Sequence, residues 1–405
     1  MGFHHGLSGL NAASKSLDVS GHNIANSNTI GFKKSRAEFN EMVASAMGSG
    51  QCPGSAGAGI GVSVAAVTQQ FSQGVITPTA NGLDMAINGD GFFVVNTPSG
   101  TAYTRNGAFQ LDKNGFLVTA NGDKVQGWAD ANATGTQPVD LQFPTGAGIP
   151  GRQTTGLSIQ AANLPATAPD AISVTPNTPR HTYGTSLQVY DSQGVAIPVE
   201  VYFVKNGSNT WDVYDTLDPA VTTPVGQVTF DGEGKFVSST VTGLNVDPSA
   251  ANPNNPPAPF NVTLDLSGMT QNDRKWSVDK MTQDGYASGE LTGVNVSKDG
   301  TLMASYSNGL TRPEGKVALA RFTNPQGLAP NGNNNWVQTN DSGPVLYGSA
   351  GSGSFGQIPG CALEESNVDL TAELVGMMTA QRSYQANAQT IKTQDQVFST
   401  LVNLR

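Results

Sequence analysis

The stretch LEESNVDLTAELVGMMTAQRSYQANAQTIKTQDQVF, residues 363–398, decides how this chain is built. Leu370, Met377, Tyr384, Ile391 and Phe398 recur every seven residues. Leu374, Ala388 and Val402 fall in a companion row that Gln381 and Asp395 interrupt. Two apolar rows with a period of seven predict a helix packed lengthwise against other helices. Ser366 followed by Asp369 predicts a capping box at its start. The helix extends over about 37 residues, roughly 55 Å at 1.5 Å per residue, which is long for a globular core.

The N-terminus repeats the pattern more weakly. Phe3, Leu10, Leu17 and Ile24 are spaced by seven, with Leu7, Ser14 and Gly21 as companions. Small companions allow close approach but little burial, so an isolated chain is expected to hold its ends loosely. Such a stripe buries best against copies of itself or a partner. The helix stops in NIANSNTIGFKKSRAEF (23–39), where Asn23, Asn26 and Asn28 crowd six positions. Asparagine is a poor helix former. Asn28 or Gly31 supplies the left-handed residue that closes a helix, with Phe32 just beyond. Asn23 and Asn26 face away from the seam. Two roles are open for them: surface and capping amides, or hydrogen bonds to a neighbouring subunit or the returning chain that fix register.

Between the helices the chain turns to β. NGLDMAINGDGFFVV (81–95) ends in a strand-like run, and Asn106-Gly107, Asn114-Gly115 and Asn121-Gly122 punctuate apolar segments over 103–128. Asn-Gly pairs in that setting predict hairpins. Strand patterns resume over 185–217, 226–239 and 289–311. The Gly-rich stretches GSGQCPGSAGAGIG (48–61) and GSAGSGSFGQIPG (348–360) mirror one another as linkers. The expected fold is therefore mainly β with long terminal α-helices that pair in a coiled-coil-like domain, followed by nested β domains. The boundaries are 1–47 with 361–405 for the helical domain and 48–70 with 348–360 for the linkers. A β domain from both flanks takes 71–144 with 285–347, and 145–284 form an inserted outer β domain.

Composition excludes several classes. The 405 residues carry a net charge of −10, which argues against a nucleic-acid or anionic-membrane surface. Charged residues are only 13%, about half the usual share. No run of about 18 apolar residues predicts a membrane span, and the first 30 or so residues lack a signal-peptide pattern. His4, His5, His22 and His181 form no cluster that points to a metal or to catalysis. NGDGFF (88–93), DKNG (112–115) and DGEG (231–234) lack the spaced acids and closing glutamate of a calcium loop, and read as turns. No catalytic residue, cofactor site or metal site is expected. Cys52 and Cys361, the only two cysteines, each sit in one of the mirrored linkers. They read as two unrelated small residues or as a pair of linker thiols that nesting brings together.

At both flanks, over about 1–130 and 285–405, these motifs resemble the rod and hook family of bacterial flagellar axial proteins. The signature NIANSNTIGFKKSRAEF, the β motifs LDMAINGDGFFVV and YTRNGAFQLDKNGFLVTANGDKVQGW, and the C-terminal helix 363–398 carry the likeness. Rod members share both ends but are shorter, so the length and inserted middle resemble the hook type. The resemblance implies helices lining an inner tube, β domains lying outward and a helical homopolymer acting as a flexible coupling between rod and filament. It also implies uncleaved passage through the flagellar type III export apparatus. The implied partners are other copies and the rod, hook-cap, hook-length-control and hook–filament junction proteins. A cross-link between the linker thiols would form after export. The competing readings are a distal rod subunit of the same family, and a secreted β-rich enzyme or adhesin whose helices merely dimerise.

Overall fold

A computed structural model describes residues 2–43, 59–130, 137–144, 148–170, 183–216, 223–251, 253–254 and 256–403. Helix α1 spans Gly2–Ala25 and helix α2 spans Leu370–Asn403. Among the described residues between them, all are β-strand, turn or loop apart from short 3-10 turns. The chain is thus mainly β with paired terminal helices.

The chain divides into two compact units. The first contains Met1–Thr145, Gly293–Ser305 and Thr311–Arg405. Its centre is an antiparallel sheet in which Phe92–Thr97 pairs with Gly100–Thr104 and with Thr311–Arg321. The alternation of strand side chains buries both faces here, since Phe93 and Val95 are as inaccessible as Val94. On one face Phe92 packs edge-on against Phe71, Phe322 and Trp336. Phe93 meets Phe109 on the other. The second unit contains Gly146–Thr292 and Tyr306–Leu310. A five-stranded antiparallel meander, from Tyr183–Tyr190 to Phe236–Ser239, and a second sheet around Gly156–Pro165 share one core. Trp211 sits fully buried in it and donates from Nε1 to Gln271 Oε1 at 3.1 Å.

Turn chemistry follows the sequence in part. Gly115 and Gly122 have φ of +82° and +87°, closing the hairpins among Phe109–Leu111, Leu117–Thr119 and Lys124–Trp128. Gly107 makes no hairpin: a Cβ there would fall 1.6 Å from the Met85 carbonyl oxygen, so it is a point of close backbone approach. In DKNG and DGEG, Asp112 and Asp231 spend a carboxylate oxygen on backbone N–H groups two and four residues on.

Three expectations are corrected. Residues 59–69, assigned to a linker, are strand β2 (Gly59–Gln69), and it pairs antiparallel with β1 (Ser35–Val43), which was placed in the helical domain. The glycines of 48–61 mask an alternating strand that follows them directly. Ser366 does not cap α2. Asp369 does, accepting from the Thr371 and Ala372 N–H groups at 2.9 and 3.2 Å. The helix is 34 residues long.

Candidate functional site

The terminal helices pack antiparallel along one another, and small residues make the seam. A Cβ on Gly6 would meet Ile391 Cγ1 at 2.8 Å, and one on Gly9 would meet the Asn387 amide at 2.7 Å. Gly6, Ala13 and Ser20 form a buried row with a period of seven on α1, and Ala380 is buried on α2. Gly21, expected at the close approach, has open space around it. The buried row lies one residue from the Leu7 row and is built from smaller side chains. Leu10, Leu17 and Ile24 are half-buried at its flank, and so are Met377 and Ile391.

The remaining apolar positions face outward. Phe3, Leu7, Leu370, Leu374 and Tyr384 are exposed, and Phe398 is 62% exposed. Val375, Met378 and Val397 join them. Of the 17 exposed large hydrophobics among the described residues, nine lie on the two helices and four more on β1 and β2 (Phe39, Met42, Val64, Val67). Exposed apolar surface is thus gathered on the terminal elements, more than single scattered surface residues would give. The difference in length, 34 residues against 24, leaves about 15 Å of α2 beyond α1.

Below the helices lies a joint that stitches five segments together. Asn23, 1% exposed, holds Ser35 with both ends of its amide: Nδ2 donates to the Ser35 carbonyl at 2.8 Å and Oδ1 accepts its N–H at 2.9 Å. Asn26 closes the helix end, with Nδ2 donating to the His22 carbonyl and Oδ1 accepting from Thr29. Asn28 is exposed. Gly31 has φ +69° and is the left-handed residue of the exit. Its absent Cβ lets it lie against the Arg105–Asn106 backbone, where a Cβ would come within 2.6 Å. Phe32 is buried edge-on against His22.

Two further residues close the joint. The Asn367 side chain accepts from the Lys34 N–H and donates to the Gln70 and Ser72 carbonyls. Glu364 is fully buried and takes Lys33 Nζ at 2.6 Å and the Gly74 N–H at 2.8 Å on Oε1, and Arg105 Nη1 at 3.2 Å on Oε2. Burial pulls the Lys33 ammonium and the Arg105 guanidinium below their ordinary values, against the opposing attraction of Glu364. Lys33, Arg105, Glu364 and Asn367 were not singled out from the sequence. Lys33 stands inside the quoted signature, but its partner is 331 positions away. Cys361 is exposed with φ +54°, and Cys52 lies outside the described residues. The described residues include no group of three or more His, Cys, Asp or Glu side chains placed to hold a metal, and no helix long and apolar enough to cross a membrane.

A β body with antiparallel terminal helices that leave large apolar side chains exposed has the build of an assembling structural subunit. Sequence comparison gives it a family. The chain matches the profiles described as Flagella basal body rod protein over residues 3–33 and Flagellar hook protein FlgE/F/G D1 domain over 86–166. Flagellar basal body protein FlaE D2 domain matches over 162–286, and Flagellar basal body rod FlgEFG protein C-terminal over 361–404. It is 42% identical to the flagellar hook protein FlgE of Escherichia coli (strain K12) and to that of Salmonella typhimurium, covering 100% of all chains. It is 32% identical to that of Borreliella burgdorferi over 99% of both chains. The crystal structure of Helicobacter pylori flagellar hook protein FlgE2 shares the fold with a TM-score of 0.51 at 16% identity, over 70% of this chain and 98% of that one. The chain belongs to the flagellar hook protein FlgE family, and it is a structural subunit of the bacterial flagellar hook. Full-length matches to hook proteins set aside the distal-rod reading.

Proposed function

We propose that this chain polymerises helically, through its terminal helices and the adjacent hairpin, into a flexible tube that couples the rod to the filament. The helix pair lines the inner wall of that tube. The work is mechanical, and the chain carries no catalysis of its own. Export runs through the flagellar type III apparatus with the N-terminus intact, and the polymer lies outside the cell. The rod is its partner at one end and the junction proteins at the other, with a cap and a length-control protein acting during growth.

The observation that supports this most is the mismatch on the helices: small residues of α1 line the internal seam while nine large apolar side chains of the two helices stay exposed. Each Leu or Phe newly buried between subunits contributes about 1.5–3 kcal/mol. An unclosed head-to-tail contact made from such faces grows into a filament. Phe398→Lys tests it, because the side chain is 62% exposed and the change costs the monomer within about 0.5 kcal/mol. Wild-type protein, concentrated and salted out, is expected to form tubes in electron micrographs, and the variant to remain monomeric. Tubes from Phe398→Lys and Leu374→Lys alike would overturn the assignment.

A further inference from the structure

We infer that Lys33, Arg105 and Glu364 are positioning residues for assembly: a buried charge clasp that fixes the direction in which the two helices leave the β body. The inference rests on the polymer reading above and names the part of the chain that holds the helices in register for it.

The geometry carries the argument. Glu364 lies six residues before α2, and Lys33 lies eight residues after α1. Lys33 Nζ donates to the Glu364 carboxylate and to the Ser72 carbonyl at 2.7 Å. Arg105 reaches the other carboxylate oxygen and donates from Nη2 to the Gly89 carbonyl at 2.8 Å. One carboxylate therefore ties together the exit of α1, the approach to α2, the segment after β2 and the β body. The side chains of Lys33 and Glu364 have no solvent exposure, and that of Arg105 has 5%. Two cations share one anion, and Arg105 Nε is buried without a partner.

A site with that balance is poorly designed for stability alone. Apolar residues of similar volume fill such a space as well or better. What they lack is direction. A hydrogen-bonded fork accepts one orientation of each segment, whereas apolar packing tolerates sliding and rotation. Subunits whose helices must meet copies at a fixed angle need the former. The backbone contacts agree: the Gly31 N–H donates to the Glu364 carbonyl at 2.8 Å, so the same residue aligns main chain and side chain together.

Lys33→Met in the full-length chain tests it, since Arg105 and Glu364 remain paired one to one. Amide hydrogen exchange is followed at Gly31, Lys34 and Gly74 in the joint and at Val94 and Tyr103 in the central sheet. The expected result is exchange at least tenfold faster in the joint, within twofold of wild type in the sheet, and tubes lost or irregular in diameter. Equal protection in the joint, uniform loosening of joint and sheet, or wild-type tubes would each overturn the clasp. If Lys33→Met does not fold, the triple variant Lys33→Met, Arg105→Met, Glu364→Met removes every charge and is judged by the same pattern. If wild-type protein forms no tubes, the polymer reading fails, while the exchange comparison still decides whether the clasp aligns the joint.

Discussion

The helix seam and the joint beneath it solve opposite problems with the same few segments. Along the seam, polar satisfaction is trivial and apolar burial is left incomplete: Leu374, Val375, Met378 and Phe398 stand in solvent. In the joint, apolar burial is minor and polar satisfaction is dense, with Asn23, Glu364 and Asn367 each making two or more side-chain hydrogen bonds. The helices leave apolar surface exposed, and the joint is closed within one chain. On the proposed polymer, the difference separates what must form between subunits from what must already be set within each. A substitution on the exposed stripe should cost the polymer and spare the monomer, whereas one in the joint should cost the monomer first.

The largest monomer effect is expected from Glu364→Gln. The amide keeps the shape but strips the anion from two buried cations, a loss of about 3–5 kcal/mol. Denaturant unfolding of the monomer at neutral pH measures it. A change below about 1 kcal/mol would show that water or relaxation replaces the carboxylate, and the contrast with the seam would collapse. Gly31→Ala comes next. The residue has φ +69°, and its new Cβ would press on the Arg105–Asn106 backbone, which has no flexible end to give way. A loss of at least about 2 kcal/mol is expected. Gly21→Ala makes the control, because nothing lies within 4 Å of that position and alanine favours helix.

These two glycines show how far the sequence could be read. The seven-residue period of α2 was legible because it is local, and so was the left-handed exit, which needs Gly or Asn. The buried face of α1 was not. Hydrophobicity points to the Leu10 and Leu17 row, but antiparallel helices approach closest over Gly6, Gly9 and Ala13, where there is least to clash. Strand β2 was hidden by the glycines before it. In the joint, the excess of amides at 23–28 was visible, but Ser35 as the partner of Asn23 was not, because a side chain bonding to backbone leaves no mark on the backbone residue. Glu364 was invisible for a different reason. A carboxylate in LEESN looks like any surface acid until residues 33 and 105 are folded onto it.

A smaller effect tests the electrostatics of the clasp directly. Burial holds the Lys33 ammonium below its ordinary value of 10.5. In the window between the lowered folded value and 10.5, the unfolded chain binds more protons than the folded one, so this group makes stability rise with pH. Below that window the lysine is charged in both states and its burial cost is constant. Wild-type stability, measured from pH 7 to 10 relative to Lys33→Met, should climb toward the alkaline end. Subtracting the variant cancels titrating groups that are not coupled to Lys33, such as Tyr103, whose phenol burial pushes up. A flat difference would mean that Glu364 compensates the burial fully.

The smallest effect expected is a gain. Cys361 adopts φ +54° with its side chain exposed, a conformation that costs a residue with a Cβ about 1–2 kcal/mol. Its backbone is held there from outside: the Cys361 carbonyl accepts from the Thr79 N–H at 2.7 Å, and Ala362–Glu364 pairs with Ile76–Pro78. That strand pairing leads directly into Glu364, so residue 361 is where the chain turns toward the clasp. Cys361→Gly removes the strain but gives the unfolded chain more freedom, and the net gain is up to about 1 kcal/mol. If thermal melting shows that gain and tubes still form, the thiol has no structural duty and the angle is held by the strand pairing. If the variant is less stable, the added freedom of the unfolded chain outweighs the strain relieved at 361, and the left-handed turn costs the folded chain less than its φ suggests.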